Sequence, residues 1–346
     1  MKPKLLIHTG LPKTGTTTIQ LHCSLNRQVL AQNGWLYPET GRQWNAHHTF
    51  GNFFRTDDKQ LAWIRQADAA KVHRVLARER EKSGAENIVI SSESLFHIND
   101  LKRLTQYFSD YDINMLVYLR RQDEWLESVY RQQLRGGAVF NDRHSYLRQI
   151  KASLNYDHVL RDWENAIGID RICVRSFEPK FFETSLVEQF MDVLGLTLTS
   201  DYRQAPRRND KLNRAAMDFL MKFPKERRIS HEYRLLQKAL EAWSQDRPDK
   251  PEHQALYPPA ERLEIAREFA KSNALIAARY LAAGDDLFRS PLPDLNDPWQ
   301  EYPGLTVDEA VSIAHTVWKA QGAQETRLRE ALKQNKHNAA DKVKKP

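Results

Sequence analysis

The sequence predicts a three-layer α/β fold, in which a central, mostly parallel sheet is flanked by helices and followed by further helices toward the C-terminus. Strand-sized apolar runs alternate with helical patterns as far as Val174, and strands separated by helices pair in parallel through crossover connections. Beyond about Phe181 the pattern is mostly helical. The 346 residues are 41% hydrophobic and 28% charged, a composition typical of a globular chain with a substantial core.

Four apolar runs predict strands, at 4–9 (KLLIHT), 87–91 (NIVIS), 114–119 (NMLVYL) and 171–174 (RICV). The first is followed by a helical pattern over 15–33. In a sheet of this kind ligands bind at the carboxyl ends of the strands. The residues that follow each strand are therefore the first candidates for a functional site.

Helices with apolar residues at three- and four-residue spacing are predicted over 183–194, 211–223, 231–243 and 260–281. A proline-rich connector over 291–304 precedes a last helix, where Thr306 and Glu309 have the spacing of a capping box. No Gly/Ser linker divides the chain. We therefore expect one α/β domain over 1–290, followed over 291–346 by the connector, the last helix and a lysine-rich tail.

Charge and composition exclude several classes of protein. Lys and Arg number 52 against 45 Asp and Glu, and this net charge of +7 favours an anionic ligand without forming the basic stripe of a nucleic-acid-binding protein. The longest apolar runs are too short to cross a membrane. The apolar run after Lys4 is too short for a signal peptide, so we expect a cytoplasmic protein. Cys23 and Cys173 are expected to be buried thiols, with no disulfide and no cysteine-bound metal.

The loop after the first strand, His8 to Thr18 (HTGLPKTGTTT), predicts a phosphate cradle. A strand that enters a glycine-bearing turn and then a helix directs the backbone N–H groups of Thr14 to Thr17, together with the helix dipole, toward one anion. The hydroxyls of the loop threonines can add donors; they are Thr14, Thr16, Thr17 and Thr18. The alternative is a tight turn whose threonines only cap the helix.

The same loop differs from a Walker-type nucleotide loop in one respect. Gly10 and Gly15 have the G-x-x-x-x-G spacing, but Thr16 stands where the Walker lysine follows. The lysine comes earlier, at Lys13. From there an amine can approach the bridging oxygen of a phosphosulfate or a phosphoanhydride and neutralise the leaving group.

A second anion site is predicted at the end of the third strand. Arg120 follows that strand, and Ser128 lies eight residues later on the next helix, so that a bidentate guanidinium and an orienting hydroxyl can meet one phosphate. The alternative is that Arg120 pairs with a surface carboxylate and Ser128 only packs. Enzymes that cleave ATP or GTP use an acidic residue at a strand end to hold magnesium. Arginine here suits a nucleotide with an extra phosphate instead.

Together these residues resemble the sulfotransferase superfamily. The segment from Leu11 to Thr17 is similar to its 5′-phosphosulfate loop, and Arg120 with Ser128 is similar to its 3′-phosphate site. The resemblance implies a P-loop-like fold, the donor 3′-phosphoadenosine 5′-phosphosulfate (PAPS), sulfonate transfer to an acceptor hydroxyl or amine, release of adenosine 3′,5′-bisphosphate, and no required metal. By position it assigns the 5′ side of the nucleotide to Lys13, Thr14, Gly15, Thr16 and Thr17. A basic loop with Arg207, Arg208 and Lys211 is a weaker match.

The sequence offers four candidates for the general base. Glu93 follows the second strand, near the place where family members carry a histidine or a glutamate, and is the first choice. Alternatively, this carboxylate only caps a helix. His47 and His48 are its rivals, because an imidazole is a suitable base at neutral pH, and His97 ranks below them. Adjacent histidines alone do not form a ligand set, so no metal site is predicted.

The acceptor is the least defined part of the prediction. Aromatic and polar side chains are concentrated between the first two strands and would suit a sugar ring or, alternatively, core packing; they are Trp35, Tyr37, Trp44, Phe50, Phe53, Phe54 and Trp63, with Arg42, Asn45 and Arg55. A carbohydrate or glycolipid acceptor is the resulting hypothesis. A P-loop kinase or nucleotide hydrolase, and a non-catalytic nucleotide-binding protein, remain alternatives. The oligomeric state is left open.

Overall fold

A computed structural model describes residues 2–54, 62–136, 143–205, 212–223 and 231–343. It confirms the predicted α/β class. A five-stranded sheet has the order β2-β3-β1-β4-β5, and all four strand pairings are parallel. The strands are β1 (Lys4–Gly10), β2 (Trp35–Leu36), β3 (Asn87–Ser91), β4 (Asp112–Leu119) and β5 (Ile172–Ser176).

The central strands form because their side chains are apolar on both faces. In the register, Ile7 of β1 lies between Ile90 of β3 and Met115 of β4, and all three are fully buried, as expected for a parallel sheet covered on both sides. The four predicted strands are all present, with ends shifted by up to two residues. The two-residue strand β2 was not predicted because it is too short to show a periodic pattern.

Fourteen α-helices are described within these residues. They are α1 (Thr16–Leu25), α2 (Arg27–Gln32), α3 (His48–Phe53), α4 (Ala62–Ser83), α5 (Leu101–Tyr107), α6 (Gln122–Arg135), α7 (Arg143–Ile150), α8 (Tyr156–Ile167), α9 (Leu186–Val193), α10 (Arg214–Lys222), α11 (His231–Gln245), α12 (Pro259–Glu268), α13 (Ala270–Tyr280) and α14 (Val307–Val343).

Two predicted helices are each divided in two, and the prediction of continuous helices over 15–33 and 260–281 is wrong. The first breaks at Asn26, whose buried side-chain amide donates to the carbonyl of Arg203 (3.0 Å) and accepts from its N–H (2.7 Å). A side chain that bonds to backbone outside the helix competes with helix continuation. The second breaks at Phe269, between α12 and α13. Apolar spacing does not distinguish one helix from two that bury the same face.

The core on one face of the sheet packs the strands against α1 and α9. Leu6 and Leu116 of the sheet join Ile19 and Cys23 of α1 and Phe190 of α9 in one buried cluster. Cys23 is fully buried as predicted, whereas Cys173 is only partly buried; both are free thiols. The alternate residues of β1 and β3, whose side chains point to the other face of the sheet, are also fully buried, so that face is covered too. These residues are Leu5, Ile7, Ile88 and Ile90.

The chain divides into two compact units. One contains the sheet and comprises Met1–Leu126, Leu147–Arg207 and Arg262–Pro293. The other is helical and comprises Glu127–Tyr146, Arg208–Glu261 and Asp294–Pro346. The division at 290/291 stays a prediction.

Within the helical unit the predicted capping box is present at the start of α14. The N–H of Glu309 donates to the Thr306 hydroxyl (3.2 Å), and the Glu309 carboxylate accepts from the Thr306 N–H (2.8 Å). Trp243 of α11 donates its indole N–H to Ser312 of α14 at 3.0 Å, so the two helices are tied together. Among the helices described, none combines the length and the apolar character needed to span a bilayer.

Candidate functional site

The loop between β1 and α1 is fixed by contacts on both of its sides. The Thr14 hydroxyl donates to the Leu11 carbonyl (2.7 Å), and the Trp125 indole N–H donates to the Pro12 carbonyl (2.8 Å). Gly10 permits close approach, because a Cβ there would lie 3.1 Å from the Thr14 hydroxyl oxygen and 3.2 Å from the Tyr118 carbonyl oxygen. These contacts hold the loop in one conformation.

Two loop residues have left-handed backbone conformations. Gly15 has φ +78° and also needs to lack a side chain, since a Cβ there would lie 2.8 Å from the ring of Phe177. Lys13 has φ +68° although it is not a glycine, a conformation that costs about 1–2 kcal/mol for an L-residue. Strain of this kind is concentrated at functional sites. The strained backbone therefore supports Lys13 as a candidate functional residue, independently of its position in the motif.

Several backbone N–H groups at the start of α1 lack a hydrogen-bond acceptor among the described residues. The N–H groups of Thr14, Gly15, Thr16 and Thr17 have no hydrogen-bond acceptor within the described part of the chain, whereas the N–H of Thr18 donates to the Gly15 carbonyl at 2.9 Å. Unpaired N–H groups at a helix N-terminus, with the positive end of the helix dipole, form an anion site. That this loop holds a phosphate stays a prediction.

The loop threonine side chains have different surroundings. Thr14 is fully buried and its hydroxyl is used inside the loop, while Thr17 and Thr18 are exposed. Thr16 is buried, and its hydroxyl donates to the Glu93 carboxylate. In the structure only Thr17 and Thr18 present hydroxyls to solvent.

Arg120 lies beside the loop. Its Nη1 is 3.5 Å from the Lys13 carbonyl oxygen, its Nε is 3.3 Å from Glu124 Oε2, and its guanidinium is 5.9 Å from the centroid of the Phe177 ring. The group is partly exposed, so it keeps donors for a ligand. Arg120 thus pairs with a carboxylate, Glu124, as the alternative predicts, and it also lies beside the loop. Its role in binding phosphate stays a prediction.

The neighbouring Arg121 is used for structure. It is buried, pairs with both carboxylate oxygens of Asp123 (2.7 and 3.2 Å) and donates to the carbonyls of Ser290 (2.8 Å) and Pro291 (2.7 Å). Ser128 lies half-buried on α6, and its role in binding phosphate stays a prediction. Arg207, Arg208, Lys211 and Arg55 lie outside the described residues.

Glu93 reaches α1. It begins the short turn Glu93–Leu95 after β3, and its Oε1 accepts from the Thr16 hydroxyl while its Oε2 accepts from Gln20 Nε2 at 3.1 Å. The turn is capped by Ser92, whose hydroxyl accepts from the Ser94 N–H at 3.3 Å. Sequence reasoning missed Gln20. The signal was its spacing of four residues from Thr16, which places both on one helix face.

The two adjacent histidines have different environments. His47 is fully buried, with Nδ1 accepting from the Ser91 N–H (3.1 Å) and Nε2 donating to the Pro38 carbonyl (2.9 Å). Burial lowers the pKa of His47 to about 4, so the ring is neutral at pH 7 and both nitrogens are occupied. His48 is partly exposed, and its Nδ1 lies 2.8 Å from the Ser92 hydroxyl. His97 is exposed.

Burial of His47 predicts a specific loss of stability in acid. The folded chain holds the pKa of His47 at about 4, below the ordinary value of 6.5, so between these values the unfolded chain binds more protons. The free energy of unfolding therefore falls as the pH is lowered from 6.5 toward 4, with a contribution from His47 of about 2 kcal/mol at about pH 5. Urea unfolding at about pH 7.5 and pH 5 measures this loss in the free energy of unfolding.

The matched variant is His47→Gln. It is expected to reduce the difference in unfolding free energy between the two pH values, whatever it does to stability at either one. His8, whose pKa is also lowered to about 4 by burial, still contributes to the remaining difference. An equal difference in the wild type and the variant would contradict this account of His47.

Most of the aromatic segment is core. Phe50, Phe53 and Phe54 are buried and pack on Tyr107 and Phe108 of α5 and the turn after it. Trp35 and Tyr37 are also buried, and the side chain of Trp63 is outside the described residues. Trp44 differs, because it is 91% exposed and has φ +60°. Of the aromatic side chains described in this segment, Trp44 is the one presented to solvent.

No group of three or more His, Cys, Asp and Glu side chains in the described ranges is arranged to hold a metal ion. The chain's own carboxylates near the loop are instead bonded to protein donors, as Glu93 is to Thr16 and Gln20.

Comparisons with known proteins give limited matches. No family model matches the chain. An uncharacterized protein of Archaeoglobus fulgidus is 25% identical over 198 residues, which are 56% of this chain and 53% of that protein; the chain spans about half the length of the curated relative it matches. Among solved structures, a sulfotransferase from Alicyclobacillus acidocaldarius has a TM-score of 0.40 and 17% identity, over 60% of this chain and 87% of that one. The sulfotransferase domain from the curacin biosynthetic pathway has a TM-score of 0.35 and 11% identity, over 58% and 76%.

Proposed function

We propose that the protein is a sulfotransferase that moves the sulfonate group of PAPS to an acceptor hydroxyl and releases adenosine 3′,5′-bisphosphate. One observation carries the proposal. The N–H groups without acceptors at the start of α1 and the guanidinium of Arg120 belong to or lie beside the same loop, although Arg120 and Lys13 are 107 residues apart in sequence. Two neighbouring anion-binding elements suit a nucleotide with phosphate at two positions of its ribose.

In this proposal the loop holds the 5′ side of the donor. The N–H groups of Thr14, Gly15, Thr16 and Thr17 bind the 5′-phosphate oxygens, and the exposed hydroxyls of Thr17 and Thr18 add donors. The Lys13 amine neutralises the negative charge that develops on the leaving phosphate. Arg120 binds the 3′-phosphate.

The transfer step needs one base and no oxidant or reductant. The acceptor oxygen attacks the sulfonate sulfur in line, and its proton passes to Glu93. A new oxygen–sulfur bond forms as the bond between sulfur and the bridging oxygen of the 5′-phosphate breaks, and its electron pair stays on that oxygen. We place Glu93 first because it already contacts the loop through Thr16.

The two histidines receive separate roles. With both ring nitrogens bonded and the ring neutral, His47 positions the segment before α3 against β3 and does not act as a base. His48 remains the rival base, since its ring is partly exposed beside Ser92, the residue before Glu93.

A magnesium-dependent P-loop kinase or hydrolase is the second candidate function. The observation in its favour is that a carboxylate at the end of a neighbouring strand, Glu93, contacts a hydroxyl of the loop, as an acidic magnesium-binding residue does in that class. The position of Lys13 and the presence of Thr16 after Gly15 argue against it.

Calorimetry separates these candidates. We expect adenosine 3′,5′-bisphosphate to bind with micromolar or better affinity in the absence of magnesium, and magnesium-ATP to bind much more weakly. Transfer of labelled sulfonate from PAPS to a panel of sugars and glycolipids then separates an enzyme from a non-catalytic nucleotide-binding protein. Binding of magnesium-ATP without binding of the bisphosphate would overturn the proposal.

Replacing Arg120 by alanine is expected to weaken binding of adenosine 3′,5′-bisphosphate. Loss of a charged hydrogen bond costs about 1.5 to 3 kcal/mol, or roughly tenfold to a hundredfold in Kd. Arg171→Ala is the matched control, since Arg171 directly precedes β5 at the opposite end of the sheet and pairs with Asp112. Calorimetry on both variants measures the effect. Equal weakening in the two would indicate a general effect of charge and not a phosphate contact.

For the acceptor, we propose a carbohydrate or glycolipid hydroxyl, on the strength of Trp44. An indole that is 91% exposed on a left-handed backbone offers an apolar face for a sugar ring, and its conformation is one that functional residues tend to hold. Trp44→Ala is expected to raise KM for the sugar acceptor severalfold while the Kd of adenosine 3′,5′-bisphosphate stays constant. An unchanged KM would remove the support for this acceptor class.

A further inference from the structure

We propose that the Thr16 hydroxyl couples donor binding to the general base, by serving the Glu93 carboxylate and the donor 5′-phosphate in turn. This inference rests on the proposed function and extends it. A threonine hydroxyl carries one proton, so it can donate to one of these two acceptors at a time. In the structure it donates to Glu93.

The position of Thr16 makes both acceptors accessible to it. Thr16 is the first residue of α1 and is 2% exposed. Its backbone N–H has no acceptor among the described residues, while its hydroxyl contacts Glu93 Oε1. Threonine in a helix divides its χ1 angle between two rotamers. In this proposal, rotation about χ1 turns the hydroxyl away from the carboxylate and lets it donate to the bound phosphate instead.

When the Thr16 hydroxyl turns from Glu93 to the phosphate, the number of lone pairs through which Glu93 can accept a proton changes. In the structure both carboxylate oxygens accept hydrogen bonds, Oε1 from Thr16 and Oε2 from Gln20 at 3.1 Å. Each donor occupies one of the lone pairs through which the carboxylate can accept a proton. When the Thr16 hydroxyl donates its hydrogen bond to a phosphate oxygen instead, Oε1 has one more free lone pair. That lone pair can accept the proton of the acceptor hydroxyl. The base then becomes effective only when the donor is in place.

Gln20 has the complementary role in this mechanism. It is buried and donates to Glu93 Oε2, and in this mechanism that bond persists after Thr16 has turned. Gln20 is thereby a positioning residue, which keeps the carboxylate directed at the reaction centre. Its position one helical turn after Thr16 links both contacts to the same face of α1.

The test follows the carboxyl carbon of Glu93 by NMR in protein made with isotope-labelled glutamate, with the signal assigned by its loss in Glu93→Gln. Saturation with adenosine 3′,5′-bisphosphate is expected to shift the signal in the wild type and in Thr16→Ser, which keeps the hydroxyl. In Thr16→Val, which lacks it, at least half of that shift should disappear. A full shift in Thr16→Val, with the nucleotide bound, would overturn the coupling.

Gln20→Leu provides an independent arm in case Thr16→Val does not fold. With Thr16 as the remaining donor to Glu93, the nucleotide-induced shift should be larger than in the wild type, and kcat should fall by about tenfold while KM for PAPS stays within about twofold. An unchanged shift together with an unchanged kcat would contradict the inference.

Calorimetry on the same samples distinguishes the two levels of proposal. If adenosine 3′,5′-bisphosphate binds but the Glu93 signal does not move, the coupling fails and the sulfotransferase proposal stands. If the wild type does not bind the bisphosphate, both fail.

Discussion

Replacing Lys13 by alanine is expected to lower the turnover number for sulfonate transfer by at least about two orders of magnitude. The reason is the loss of a positive charge at the oxygen where negative charge develops as the bond to sulfur breaks. The effect should fall mainly on kcat, since the N–H groups of Thr14 to Thr17 still bind the 5′-phosphate. Initial rates with labelled PAPS, together with the Kd of adenosine 3′,5′-bisphosphate, measure the two contributions.

Lys13→Gly separates lost chemistry from lost folding. Lys13 has φ +68°, a conformation that glycine adopts without strain. This variant should therefore have a free energy of unfolding equal to or above that of the wild type, with turnover as low as in Lys13→Ala. Retention of wild-type turnover in either variant would show that the amine does not assist the leaving group.

Replacing Glu93 by glutamine is expected to lower kcat by about two to four orders of magnitude, the range for removal of a general base. Glutamine has a similar size and can still accept from the Thr16 hydroxyl, so the structural contacts around α1 are largely kept. It cannot take the acceptor proton. Steady-state kinetics with saturating PAPS measure this effect.

His48→Ala is the matched control for Glu93→Gln, because His48 bonds to Ser92, next to Glu93. The kcat of His48→Ala is expected to fall by less than about tenfold, because this variant loses only a polar contact near the site. The reverse order of effects, a large loss in His48→Ala and a small one in Glu93→Gln, would assign the base to His48.

The fold class and the loop could be predicted from the sequence because local patterns encode them. Continuous apolar runs such as 87–91 and 114–119 specify buried parallel strands, and they were found nearly at their observed ends. The glycine spacing between β1 and α1 predicted the turn, and Gly15 proves to have the positive φ that favours glycine. These features depend on neighbours in the chain and need no tertiary information.

Other features depend on contacts that sequence spacing does not encode. His47 and His48 are adjacent residues of the same type, and the sequence does not distinguish them. In the structure His47 is fully buried with both ring nitrogens bonded, whereas His48 is partly exposed. The left-handed backbone at Lys13 and the contact of Gln20 with Glu93 also require the packed structure. Similarly, Arg120 lies beside the loop whereas Arg121 is buried, because Asp123 and the carbonyls of Ser290 and Pro291 bind the Arg121 guanidinium.

The most direct test of the account is a crystal structure of the protein with adenosine 3′,5′-bisphosphate. We expect the 5′-phosphate to accept from the N–H groups of Thr14 to Thr17 and the 3′-phosphate to contact the Arg120 guanidinium. A nucleotide bound away from this loop, or one whose 3′-phosphate lies far from Arg120, would contradict it.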